Sequence, residues 1–271
     1  MAYNLTTKNV TPMNRHLSII TGVSPGKTAR LADTIASIEE LHQKIDSVGW
    51  SLSWIVVMDG PGVANGIHWP ACTRIERLAA KSGNASCINR ALALCHPSWV
   101  MVLQPTDSVL VDGMLEFLQE PALPRVEWAA ANLRLTARGQ FVTYTSVTPK
   151  RYAAHTLACN WSVPFPFHPA ALIMRSSILL QVGGWPALPD NEELAVALYV
   201  SELGPGVVTA YRVMSREMQR TTKRGKARDM ALREDSFATI TSVLNARRAG
   251  TRNPGVTPPA GARSSLIQEC S

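Results

Sequence analysis

The sequence predicts an α/β protein: a mostly parallel sheet flanked by helices, leading into a second half of mixed strands and helices. Three observations predict it. Short runs of apolar and β-branched residues recur at Leu17–Thr21, Trp54–Met58 and Trp99–Leu103. Segments of helical periodicity separate them. The second and third runs are apolar at every position, as expected of strands covered on both faces in a parallel sheet. At 271 residues, with 46% hydrophobic and 17% charged residues, the composition is that of an ordinary globular chain.

The first run is bounded by the turn formers Gly22, Ser24, Pro25 and Gly26. Leu31, Thr34, Ile35, Ile38, Leu41 and Ile45 then fall on one face of a helix. Asp59-Gly60-Pro61-Gly62 stops the second strand, and an irregular stretch follows. Ala85 to Leu94 reads as a helix opened by Ser82-Gly83-Asn84, and the third strand breaks at Pro105. Arg125–Leu135 and Gln140–Val147 read as strands joined by Ala137-Arg138-Gly139. Trp161 to His168 is an aromatic, proline-stiffened loop. Ala170–Val182 and Glu192–Leu203 read as helices separated by Gly183-Gly184-Trp185-Pro186. Val207–Val213 is a last strand. Asp229–Arg248 is an amphipathic helix with Leu232, Phe237, Ile240, Val243 and Leu244 inward. No internal repeat is visible, and residues 250–271 read as a loose tail. One domain over residues 1–249 is expected, divided into halves at 17–120 and 121–249.

Charge is local. The net charge is +7, and residues 211–252 hold eleven Lys/Arg against four acids, so the remainder is neutral. Such a segment suits an anionic ligand such as a diphosphate, a weak nucleic-acid or membrane-surface contact, or simply a solvated face. It lacks the interleaved aromatics of a nucleic-acid stacking surface, so no nucleic-acid partner is expected. The longest apolar stretches are about eight residues, short of the ~20 needed to span a bilayer. No integral membrane contact is expected, nor a leader segment at the start. Five cysteines without CxxC spacing disfavour a metal knuckle or a disulfide scaffold and agree with the cytoplasm.

Two local readings compete for the first strand's end. Gly26-Lys27-Thr28 has the close of a phosphate-cradling loop, the signature of a kinase or NTPase. The first glycine of that motif is missing, its position being Thr21, and Pro25 removes an amide from the cradle.

The other reading covers more of the chain. In order, SIITGV–TIASI, WIVVMDGPG, SGNASCINRALAL, WVMVLQPTDSVL, HPAALIMRSSILLQVGGW, NEELAVALYVSELG and YRVMSREMQRTT resemble family 2 glycosyltransferases of the GT-A fold, over residues 17–225. The resemblance implies a Rossmann-like nucleotide half and a mixed acceptor-side half. It implies transfer of a sugar from UDP or another nucleoside diphosphate to a small-molecule or glycan acceptor, with inversion; the small chain without an apolar span favours a soluble acceptor, as in natural-product biosynthesis. Thr21, Val23, Asp59 and Asn89 would line the nucleoside. The family's Asp-x-Asp-Asp metal motif corresponds to Gln104-Pro105-Thr106-Asp107 here, so one acid remains. Gln104, Thr106 and Asp107 would face the diphosphate. Two suppliers of positive charge stay open: Mn²⁺ or Mg²⁺ held through Asp107, or the basic segment with Arg212, Arg216, Arg220 and Lys223. Arg212 and Gln219 would join the donor side. The family's acidic pair corresponds to Glu192-Glu193, with Glu193 as the base that deprotonates the acceptor. Trp161, His168, Gly184 and Trp185 would form the acceptor wall. With two of three metal-site acids absent, a non-catalytic nucleotide-binding relative is a further reading.

Overall fold

A computed structural model describes residues 15–251, apart from 28–30, 62–65, 138, 146, 162–164 and 219–222; of residues 223–231 and 250–251 it describes the backbone only. The described strands form one ten-stranded sheet. At its start, β1 (His16–Val23), β2 (Ser51–Met58), β3 (Thr73–Arg77) and β4 (Trp99–Val102) run parallel in the order β3-β2-β1-β4. The sheet continues through β9 (Leu172–Arg175), β6 (Trp128–Ala137), β10 (Gly206–Glu217) and β5 (Asp107–Val109). β9 is antiparallel to both β4 and β6, and β10 is parallel to β6 but antiparallel to β5. β7 (Gln140–Tyr144) pairs with β6, and β8 (Lys150–Tyr152) with β10.

The period-2 alternation of the buried strands divides the core into two layers. Leu17, Ile19, Trp54, Val56, Trp99 and Met101 face α1 (Ala32–Lys44) and α3 (Val111–Leu118). Ile20, Ile55, Val57, Val100 and Val102 face the opposite layer. That layer holds α2 (Asn84–Leu92), α4 (Thr156–Cys159), α5 (Ser176–Gln181), α6 (Glu192–Leu203) and the inward side of α7 (Lys223–Thr251). α6 is buried from Leu194 to Glu202, which explains its apolar character all round.

Several expectations are corrected. Ala170–Val182 is not one helix: a 3-10 turn at Pro169–Ala171 leads into β9, and only Ser176–Gln181 is helical. Leu172–Met174 are buried by pairing with two strands, so no alternation betrays them. The irregular stretch after β2 contains the edge strand β3, whose charged residues are largely exposed. β6 begins at Trp128, after a 3-10 turn at Leu123–Arg125. β10 extends four residues beyond the predicted end, to Glu217. α7 is longer than predicted at both ends, and most of the predicted tail, residues 252–271, lies outside the described residues. Among the described residues no helix is long and apolar enough to cross a membrane.

Candidate active site

The site lies at the carboxyl end of the parallel strands, the usual ligand crevice of an open α/β sheet. Beyond β4 the chain makes a tight turn: the Asp107 amide donates to the Gln104 carbonyl at 2.9 Å, and the Gln104 amide donates to Asp107 Oδ2 at 2.9 Å. Thr34 of α1 adds a hydroxyl bond to the Asp107 carbonyl at 2.6 Å. The Asp107 carboxylate is thereby fixed at the start of β5 with no exposed side-chain surface.

Antiparallel pairing sets Arg216 of β10 directly opposite Asp107. Its Nε donates to Oδ1 at 2.9 Å and its Nη2 to Oδ2 at 2.7 Å. The outer edge of the same guanidinium meets Glu193, in the first turn of α6, with Nη1 at 2.9 Å from Oε2 and Nη2 at 2.8 Å from Oε1. Burial pushes the Asp107 carboxyl above the usual carboxylate range, against the pull of Arg216. Burial also opposes the charge on Arg216, but Glu193 and Asp107 outweigh it and keep the guanidinium protonated.

This centre borders a cavity of about 720 Å³ whose lining includes Gln104, Thr106, His168, Glu192, Glu193 and Arg216. His168 Nδ1 accepts the Ala170 amide at 3.2 Å, so the neutral ring carries its proton on Nε2. Burial and then Arg216 hold its pKa below the ordinary histidine value. Glu192 is turned away from Arg216: its Oε2 accepts from Trp185 Nε1 at 3.0 Å and Asn84 Nδ2 at 3.1 Å. Burial raises its pKa against those two bonds.

The structure therefore brings together Glu193, Glu192, Gln104, Thr106, Asp107 and His168. It does not bring the others to the cavity. Thr21 is fully buried and accepts the Trp54 indole N–H at 3.0 Å. Val23 is buried in the core, its carbonyl accepting the Asp59 amide at 2.9 Å. Asp59 Oδ1 accepts the amides of Ser82 at 2.6 Å and Gly83 at 3.1 Å, while its buried Oδ2 has no partner among the described residues. Asn89 bonds the backbone amide and carbonyl of Trp185. Trp185 is itself buried, so it offers no stacking face, and Gly184 (φ +84°) passes so close to Asn89 that a Cβ would overlap the amide oxygen. Trp161 packs on Phe237 of α7, with ring centroids 5.9 Å apart. Arg212 stacks on Tyr144 at 4.0 Å and does not line the cavity. Gln219, Arg220 and Thr28 lie outside the described residues, and of Lys223 only the backbone is described. Lys27 sits in an exposed turn, its amide donating to Ser24, and α1 starts only at Ala32. A phosphate-cradling loop would open its helix at the lysine, so that reading fails. In the sequence Arg216 is one of eleven Lys/Arg within residues 211–252; its pairing opposite Asp107 and its burial distinguish it.

No protein-family model matches the sequence, and no curated protein does. Among solved structures, that of S. aureus TarS residues 1–349 superposes with a TM-score of 0.56 at 11% identity, covering 74% of this chain and 60% of that one. Its complex with UDP-GlcNAc gives a TM-score of 0.56 at 12% identity over 76% and 59% of the two chains. Its complex with UDP gives 0.54 at 12% identity, over 75% and 60%. The fold is of the GT-A type. This chain thus spans about three fifths of the TarS fragment it matches.

Proposed function

We propose that the chain is a glycosyltransferase related to family 2, moving a sugar from UDP or another nucleoside diphosphate to a hydroxyl of a small-molecule or glycan acceptor. The observation that carries this reading is Glu193, a carboxylate on the wall of a 720 Å³ cavity at the carboxyl edge of the sheet, facing Arg216. The likeness of fold to TarS, crystallised with UDP-GlcNAc and with UDP, supports it.

In this reading the donor's diphosphate lies against Gln104, Thr106 and Arg216, and its anomeric carbon faces Glu193. Glu193 accepts the acceptor's hydroxyl proton as that oxygen forms a bond to the anomeric carbon from behind. The bond from that carbon to the diphosphate oxygen breaks, and the diphosphate leaves with the electron pair. The configuration inverts. His168, with its proton on Nε2, is a hydrogen-bond donor to a sugar or acceptor oxygen. Glu192 supports Glu193 indirectly by anchoring the start of α6 to Trp185 and Asn84.

GT-A enzymes commonly bind a divalent cation on the diphosphate, supplying charge to the leaving group. The residues here do not fit one. Arg216 occupies both Asp107 oxygens, the neighbouring Gln104 and Thr106 are neutral, and no group of three His, Cys, Asp or Glu suited to a metal occurs among the described residues.

The test is nucleoside diphosphate release from a panel of sugar nucleotides, beginning with UDP-GlcNAc, against a panel of hydroxyl acceptors. Turnover that disappears in Glu193→Gln is expected. Binding without turnover, unchanged by that substitution, would favour the non-catalytic relative instead.

A further inference from the structure

The guanidinium of Arg216 engages four of its five N–H groups with two carboxylates. Formally the group of three carries a net charge of −1, which repels a diphosphate. It also leaves the proposed base unable to act. Both Glu193 oxygens accept from the guanidinium and are turned to it rather than to an acceptor hydroxyl. The resting arrangement is therefore suited neither to holding the donor nor to deprotonating the acceptor. One of the two ion pairs has to open.

The geometry says which. Asp107 has no exposed side-chain surface, is gripped along the Nε–Nη2 edge, and also takes the Gln104 amide. Glu193 keeps 20% of its side chain exposed and meets the outer Nη1–Nη2 edge, on the cavity side. Releasing Asp107 would strand a buried charge, whereas releasing Glu193 exposes one to the cavity. The edge that Glu193 covers is also the planar fork that takes two oxygens of a phosphate bidentately.

On the reading proposed above, we infer that Arg216 is the cation that receives the donor's diphosphate in place of a divalent ion, and that donor binding frees Glu193 by displacing it from the outer edge of Arg216. Asp107 is then a positioning residue: it holds the guanidinium by the inner edge, as the metal-binding acids of the family would hold their ion. No covalent step is added. The bonds made and broken are those of the transfer itself, with the departing diphosphate's charge met by Arg216. The exchange makes donor binding precede base release, so the acceptor is activated only when the sugar is present. A water molecule entering without donor meets a carboxylate already engaged.

The experiment is calorimetric titration of the full chain with UDP and uridine, with GDP, CDP, ADP and their nucleosides as parallel arms, each in EDTA and in Mn²⁺. Wild type is expected to bind one nucleoside diphosphate with affinities agreeing within about twofold between EDTA and Mn²⁺. Glu193→Gln, which removes the competing charge, is expected to tighten that binding by roughly three- to tenfold while transfer is lost. Arg216→Gln alone leaves Asp107 buried and unpaired, so Asp107→Asn with Arg216→Gln is the folding-safe pair. It is expected to lose at least about tenfold in diphosphate affinity and leave the nucleoside unchanged. Diphosphate binding that needs Mn²⁺ in wild type, or that weakens in Glu193→Gln, overturns the inference and leaves the glycosyltransferase reading standing. Wild type that binds no nucleoside and no diphosphate overturns that reading and this inference together.

Discussion

Asn89 grips the backbone of Trp185 from both sides, its Nδ2 donating to the Trp185 carbonyl at 2.9 Å and its Oδ1 accepting the Trp185 amide at 2.7 Å. The pair ties α2 to the glycine turn ahead of α6, across 96 residues of sequence. Asn89→Ala leaves two backbone groups unpaired and is expected to cost about 1–3 kcal/mol in urea denaturation. Nucleotide affinity per folded molecule is expected to stay unchanged, which separates this role from a nucleoside contact.

The adjacent carboxylates of α6 are expected to respond differently. Glu192 accepts both of its hydrogen bonds on Oε2, so the amide oxygen of Glu192→Gln can replace it. That variant is expected to fold and keep most of its activity, while Glu192→Ala loses stability. Glu193→Gln is expected to fold as well, yet to lose roughly 10²–10⁴-fold in transfer rate if Glu193 is the base. Parallel denaturation and turnover measurements on the three variants distinguish the roles.

Two histidines make the fold acid-sensitive. His16 is held below the ordinary value of 6.5 by burial and then by His96; His168 is held below it by burial and then by Arg216. Well above 6.5 both are neutral in either state and contribute nothing to the pH dependence. As pH falls through 6.5 the unfolded chain takes up these protons first, so stability declines until the folded-state values are reached. Tm is expected to drop between about pH 7 and pH 5, with a shallower slope in His16→Asn.

Gly113 lets α3 lie directly on β10, because a Cβ there would overlap the Arg212 backbone. Gly113→Ala is expected to destabilise by about 1–3 kcal/mol or more. Arg216 lies on the same strand, so residual activity is expected to fall beyond what the unfolded fraction explains. Circular dichroism and turnover on the same sample check both effects.

Lys27→Ala is expected to leave nucleotide binding and Tm unchanged, since Lys27 lies in an exposed turn ahead of α1. A loss of nucleotide binding in that variant would restore the phosphate-loop reading.

Much of this fold is legible in the residues. β1, β2 and β4 stand out as apolar runs, and α6 begins and ends at Glu192 and Leu203 as its pattern predicts. β9 is hidden because Leu172–Met174 are buried and run without a break into Ser176–Gln181. β3 is hidden because an edge strand reading Thr-Arg-Ile-Glu-Arg has little to bury. The sequence names Asp107, Glu193, Gln104, Thr106 and His168 by type and position, and the structure gathers these five around one cavity. Asn89 bonds the Trp185 backbone, 96 residues away, and the Trp185 indole is buried with its N–H on Glu192, seven residues on; neither arrangement is marked by residue type. Arg216 is singled out by strand register and burial, neither of which a charge count carries.

The return of β10 to the far side of the sheet has a consequence for how the molecule is assembled. Residue 107 meets residue 216 only after the last strand has been laid down beside β5. A fragment ending near residue 120 would inherit a buried acid with nothing to neutralise it. The two halves therefore share one electrostatic keystone, and the segment that completes the architecture is also the one that arms it.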